Sequence, residues 1–134
     1  MSTATGKYLG DLRTEVTHTA SEQSFITDAP IDNNGKGKAF SPTDTVTAAL
    51  SSCMMTLMGI YANREGIDLS GFSSTVTKYM GADPRRISKI EIDFVWPNPI
   101  ASDTQKEILK RSALTCPVAK SLHPDIQQIV NFNF

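Results

Sequence analysis

The stretch "SPTDTVTAALSSCMMTLMGIYANREG" (Ser41 to Gly66) decides the fold. It opens on Ser and Thr, carries Pro42 in its first turn with Asp44 close behind, and stops at Gly66, which is the punctuation of a helix. Its Met, Leu and Ala content favours helix over strand. From Val46 to Ala62 it is apolar nearly all round, interrupted only by Thr47, Ser51, Ser52, Thr56 and Gly59. A helix of that kind is buried on several sides. One short sheet covers only one stripe of it. The rest must be wrapped by the chain's own strands or packed against a second copy, because a soluble monomer rarely exposes more than a few hundred Å² of contiguous apolar surface. The second solution is the expectation: an obligate homodimer with these helices across the interface.

Upstream, "YLGDLRTEVTHT" (Tyr8 to Thr19) reads as a strand, with Leu12, Thr14 and Val16 on one side and Arg13 and Glu15 on the other. "EQSFITDA" continues as a second strand after the hairpin signal "TASEQ", and "PIDNNGKGKAFSP" reads as a loop. Downstream, "LSGFSSTVTKYMG" places Phe72, Val76 and Met80 on one alternation. In "RRISKIEIDFVWP", Ile90, Ile92, Phe94 and Trp96 alternate with Lys89, Glu91, Asp93 and Val95, which is the clearest strand in the chain. "ADPR" between these two strands is a turn. "SDTQKEILKRSALT" is an amphipathic helix with Ser102 as N-cap and Ile108 and Leu109 inward. "CPVAKSLH" fits a short helix with Pro117 at its first position, and "DIQQIVNFNF" closes as a strand. The order ββ-α-ββ-α-α-β predicts an α+β fold with mainly antiparallel sheet, as one domain over residues 1–134.

With 134 residues, 40% hydrophobic and 20% charged, the chain is globular in composition. A formal net charge of -1 supplies no general attraction to nucleic acid or to an anionic membrane. Ser, Thr and Gly break the apolar runs before the roughly 18 residues of a transmembrane span, so none is expected. "MSTATGKYLGDL" lacks the basic and apolar blocks of a secretory signal. The expected compartment is therefore the cytoplasm, which keeps thiols reduced.

The chain has two cysteines. Cys53 lies mid-helix, with Ala49, Leu50, Thr56 and Leu57 as its helical neighbours. It is either an inert buried thiol or a reactive one. Cys116 precedes Pro117 at a helix start, where free N–H groups and the dipole favour a thiolate and predict a lowered pKa. Only His18 and His123 could join them at a metal, at spacings unlike a zinc site, so no metal or bound cofactor is expected. "NNGKGKAF" lacks the phosphate-loop pattern.

Two blocks carry a resemblance. "SPTDTVTAALSSC" is similar to the first cysteine block of the osmotically inducible protein C / organic hydroperoxide resistance family, and "CPVAKSL" to its second. "YLGDLRTEVTH" followed by "ITDAP" resembles the first hairpin of its protein-C-like branch. The resemblance implies an intertwined homodimer in which sheets wrap two central helices. It implies a thiol-dependent peroxidase for organic hydroperoxides, an antioxidant of the stress response that needs no cofactor and is reduced by an external dithiol. Carried over by position, Cys53 is the peroxidatic thiol and Cys116 the resolving one. Leu50, Met54 and Leu57 form the apolar wall for the alkyl tail.

A thiol in apolar surroundings needs a cation to become a nucleophile. The family brings an arginine held by a carboxylate of the helix-start block. Arg13 is the candidate cation here, with Lys38 as its rival, and Asp44 the candidate carboxylate. The peroxide-resistance branch has Glu one position earlier, where this chain has Thr43. Alternatively, Arg13 pairs with Glu15 on the strand surface and Asp44 serves the helix dipole alone. Two further functions remain open at this point. One is a non-catalytic dimer binding a small apolar ligand beside Met54, Met55 and Met58. The other is a redox sensor switched by a Cys53–Cys116 disulfide.

Overall fold

The structure, a computed structural model, describes all residues 1–134. Its elements are β1 (Ala4–Gly10), β2 (Arg13–His18), β3 (Ser24–Asp28), a 3-10 turn at Ile31–Asn33, α1 (Pro42–Glu65), β4 (Ser73–Gly81), β5 (Arg86–Val95), α2 (Asp103–Ala113), α3 (Pro117–Ser121) and β6 (Gln127–Asn133). The α+β order is the expected one with a strand added. The segment read as one strand from Tyr8 to Thr19 is a hairpin corner, turned at Gly10, Asp11 and Leu12 with φ values of 90°, 54° and 62°. Leu12 is a residue that rarely adopts positive φ, so nothing in its type announced the turn. β1 is exposed along almost its whole length, so it lacks the one-sided alternation that marks a strand.

The chain divides into two compact units, Met1–Val46 and Thr47–Phe134, with α1 beginning in the first and continuing through the second. In the first unit β1, β2 and β3 form an antiparallel meander. The loop after β3 folds back on it: Asp28 N donates to Phe40 O at 3.0 Å and Gly37 N to Ala29 O at 3.2 Å. Gly35 passes so close to the Ala29 carbonyl that a Cβ there would lie 1.7 Å from its oxygen, so only glycine fits.

The second unit holds the hydrophobic core. β4 and β5 are antiparallel, and β6 adds to β5 in parallel. Ile90, Ile92, Phe94 and Trp96 are buried, as their alternation predicts. They share one cluster with Leu50, Met54, Met58 and Tyr61 of α1 and Leu109 and Ala113 of α2. Phe72, Phe132 and Phe134 extend it by stacked and edge-on contacts with Phe94 and Trp96. Ser102 and Gln105 cap α2 reciprocally, and Gly66, at φ 66°, ends α1.

α1 buries Leu50, Ser51, Met54, Met58, Tyr61 and Ala62, while Ala49, Ser52, Thr56 and Ile60 stay exposed along the opposite side. The chain's own strands therefore do not wrap this helix all round. Contrary to the run-length argument, α1 is long and apolar enough, by length and composition alone, to cross a membrane. A core helix meets the same criterion, and the buried stripe of α1 packs in the core.

Candidate active site

Cys53 lies at the margin of the buried stripe of α1 and is half-buried. Cys116 is fully buried. Its N–H donates to Ala113 O at 3.3 Å, closing the end of α2, and its own Sγ accepts from Ala119 N at 3.4 Å as the N-cap of α3. Pro117 follows at the first helical position, as expected. Both cysteines are free thiols, and they lie close enough for Cys53 to influence the Cys116 proton.

The Cys116 thiol is pushed above its ordinary range, by burial first and by the hydrogen bond with Cys53 second. This corrects the lowered value expected of a helix start. The backbone N–H groups of Ala119 and Val118 do favour the thiolate, but burial and the adjacent thiol outweigh them. The pair is thus asymmetric: Cys53 is half-buried, while Cys116 is fully buried and holds its proton more tightly than an ordinary thiol.

The residues expected to form the apolar wall, Leu50, Met54 and Leu57, differ in burial. Leu50 and Met54 are sealed in the core at 0% and 1% exposure, and only Leu57 is partly buried beside Cys53 on α1. A helix apolar all round does not reveal which side faces inward, so residue type alone could not separate them. His123 is exposed and accepts from Asp125 N at 3.0 Å in a local turn. No three His, Cys, Asp or Glu side chains are grouped to hold a metal ion.

The expected cation lies in the first unit. Arg13 is paired with a carboxylate, but that carboxylate is Asp28, neither Asp44 nor Glu15. Nε donates to Oδ1 at 2.7 Å and Nη2 to Oδ2 at 2.9 Å. The β2–β3 register sets the two residues directly opposite each other. Asp28 is 1% exposed, and its hydrogen bond with Arg13 holds its carboxyl below the usual range. Lys38, the rival cation, contributes its backbone N–H to Asp28 Oδ2 at 3.1 Å. Asp44 serves the helix start: it accepts from Ser41 N at 3.0 Å, and its own N–H donates to Ser41 Oγ at 3.0 Å. Sequence reasoning missed Asp28, which reads only as a polar residue near the end of the strand "EQSFITDA". Its register partner emerges only with the sheet.

The family model for OsmC-like proteins matches residues 35–130, which span both cysteines. The chain belongs to the OsmC-like family. Among solved structures, this OsmC-like chain is 49% identical to a Psychrobacter arcticus protein assigned to the osmotic stress induced and detoxification response, at a TM-score of 0.94 over 99% of this chain and 96% of that one. It shares its fold with the Legionella pneumophila organic hydroperoxide resistance protein OsmC, called a predicted redox protein and regulator of sulfide bond formation. There the TM-score is 0.75 at 18% identity, over 100% of this chain and 98% of that one. An organic hydroperoxide resistance protein from Elizabethkingia anophelis has the same fold, with a TM-score of 0.69 at 12% identity over 98% and 96% of the two chains. No curated protein matches the chain.

Proposed function

We propose that this OsmC-like protein reduces organic hydroperoxides to alcohols with the Cys53 and Cys116 thiols. The observation that carries the reading is the contact between a half-buried thiol and a fully buried one. The Cys53 thiolate attacks the hydroperoxide O–O bond, which breaks. The sulfur takes one oxygen as sulfenic acid, and the other leaves as alkoxide and is protonated to the alcohol. The Cys116 thiol then displaces hydroxide from the Cys53 sulfur, giving a disulfide and water. An external dithiol returns both thiols, so two electrons enter for each peroxide reduced. Burial of Cys116 keeps it out of the first step, and the apolar surroundings of Cys53 shield the sulfenic acid from a second oxidant.

The family resemblance assigns Arg13 as the positive group for the Cys53 thiolate, and Leu57 is the residue proposed to face the alkyl tail. The working unit in this reading is a cytoplasmic homodimer of one domain over residues 1–134, with no resident cofactor and no call on nucleic acid or membrane. The exposed side of α1 supports the dimer: Ala49, Ser52, Thr56 and Ile60 form a row of small and apolar residues suited to a second helix.

The test is turnover of cumene hydroperoxide with a dithiol reductant. Wild type is expected to consume the peroxide and Cys53→Ser to lose that consumption altogether. Absence of turnover in wild type, with peroxide still closing the disulfide, would leave a redox sensor in place of a peroxidase.

A further inference from the structure

We infer that Gln128 is the positioning residue of the Cys116 thiol, holding α3 so that the sulfur stays directed for disulfide closure; this rests on the thiol chemistry proposed above. At the end of the chain Ile126, Val130, Phe132 and Phe134 follow one alternation, and all four pack against the core. Gln128 falls in the same alternation and is half-buried. An amide at such a position costs more desolvation than an aliphatic side chain unless it is hydrogen-bonded. Its Nε2 donates to Ala119 O at 3.1 Å, so the one polar residue of this alternation is committed to α3.

α3 needs such a tie. A helix of 5 residues is too short to persist on its own hydrogen bonds. Lys120 N donates to Cys116 O at 3.1 Å, Leu122 N to Val118 O at 3.2 Å and Ser121 Oγ to Pro117 O at 2.8 Å, all within the segment itself. Gln128 reaches Ala119 from β6, a separate element, and fixes where the short helix lies against the sheet.

The clamped residue is also the one that holds the sulfur. Ala119 N donates to Cys116 Sγ at 3.4 Å, and the N–H of Val118 favours the thiolate there as well. Gln128 therefore grips the carbonyl of the residue whose N–H binds the thiol. In closure, Cys116 Sγ forms a bond to Cys53 Sγ, the S–O bond of the sulfenic acid breaks, and its oxygen leaves as water with the Cys116 proton. That displacement needs the attacking sulfur aligned with the breaking bond, and an untethered α3 would leave it unaligned. Cys53 already lies close enough to influence the Cys116 proton, so the clamp preserves an approach that the fold has made.

The experiment separates the two steps in the full chain. Closure is timed by the loss of the second thiol at saturating diamide, an azo compound that takes two electrons and two protons from the thiol pair and becomes a hydrazine. Q128M keeps the side-chain length and loses the donor, while Q128N keeps the amide and draws it back from Ala119 O. Each is expected to close its disulfide about fivefold more slowly than the parent, the scale of one hydrogen bond. Sulfenic acid formation at Cys53 with tert-butyl hydroperoxide, trapped by dimedone in a Cys116→Ser background, should not slow with it. A Q128M protein that melts lower yet closes at the parent's rate would reduce Gln128 to a structural amide and overturn the inference, as would equal slowing of both steps. If Q128M does not fold, Q128N is read against the same two outcomes. Slowed closure by diamide combined with no peroxide turnover in wild type would remove the peroxidase reading and leave the role of Gln128 standing.

Discussion

Cys53 and Cys116 meet as two free thiols of unequal exposure, and the buried one caps a helix with its own sulfur. In the proposed reaction that inequality orders the chemistry. Stoichiometric tert-butyl hydroperoxide is expected to abolish both thiols together in a thiol titration, through an intramolecular disulfide. In Cys116→Ser the oxidised Cys53 should persist as a sulfenic acid, trapped by dimedone and detected by mass. In Cys53→Ser, Cys116 should stay reduced because solvent does not reach it. Oxidation of Cys116 at the wild-type rate in that variant would show that the order is wrong.

The raised Cys116 thiol makes a stability prediction with a definite sign. The folded state holds this proton more tightly than the unfolded chain, whose thiol titrates at about 8.5. Its contribution is fully present below that pH and is lost as pH rises toward the higher folded value. Reduced wild type should lose melting temperature as the pH rises above about 8.5. Cys116→Ser should show a flatter decline over the same window, since its hydroxyl does not ionise there. Equal slopes for the two proteins would mean that burial does not hold the proton.

Much of this architecture is written locally. Ile90, Ile92, Phe94 and Trp96 alternate because the sheet has one wet face, and burial follows that pattern. Ser41, Ser102 and Gly66 announce helix ends because capping is chemistry between near neighbours. What escaped the sequence depends on partners far along the chain or on sidedness. The Arg13–Asp28 pair needs the β2–β3 register, and β1 carries no buried face to mark it. The Cys116 thiol needed knowledge of burial, since its helix start alone argues for the opposite shift. Leu50 and Leu57 are the same residue on the same helix, one sealed and one at the margin.

That difference between the two leucines separates stability from substrate handling. Leu50→Ala empties a fully buried site, so it should lower unfolding free energy by about 2–5 kcal/mol in urea titration. Leu57→Ala removes less buried area and should cost less stability. If Leu57 faces the alkyl tail, its truncation should raise KM for cumene hydroperoxide more than for hydrogen peroxide. A KM change of equal size for both peroxides would take Leu57 out of the substrate wall.

The outer side of α1 carries the remaining prediction. Ile60 is 54% exposed in the single chain, in line with Ala49, Ser52 and Thr56. A charge at an exposed position ordinarily costs a folded chain under about 0.5 kcal/mol, so Ile60→Glu should leave the fold of one chain intact. In a homodimer packed through this side of α1, the same substitution places a carboxylate in an apolar helix contact. Burying it unpaired is costly enough to break the association. Wild type at micromolar concentration should therefore run as a dimer by size-exclusion with light scattering, and Ile60→Glu as a monomer with unchanged far-UV circular dichroism. Peroxide turnover should fall with the dimer if Arg13 and Cys53 come together only in the assembled protein. A wild-type monomer at that concentration would end the dimer proposal, and a fully active monomeric Ile60→Glu would place the complete site within one chain.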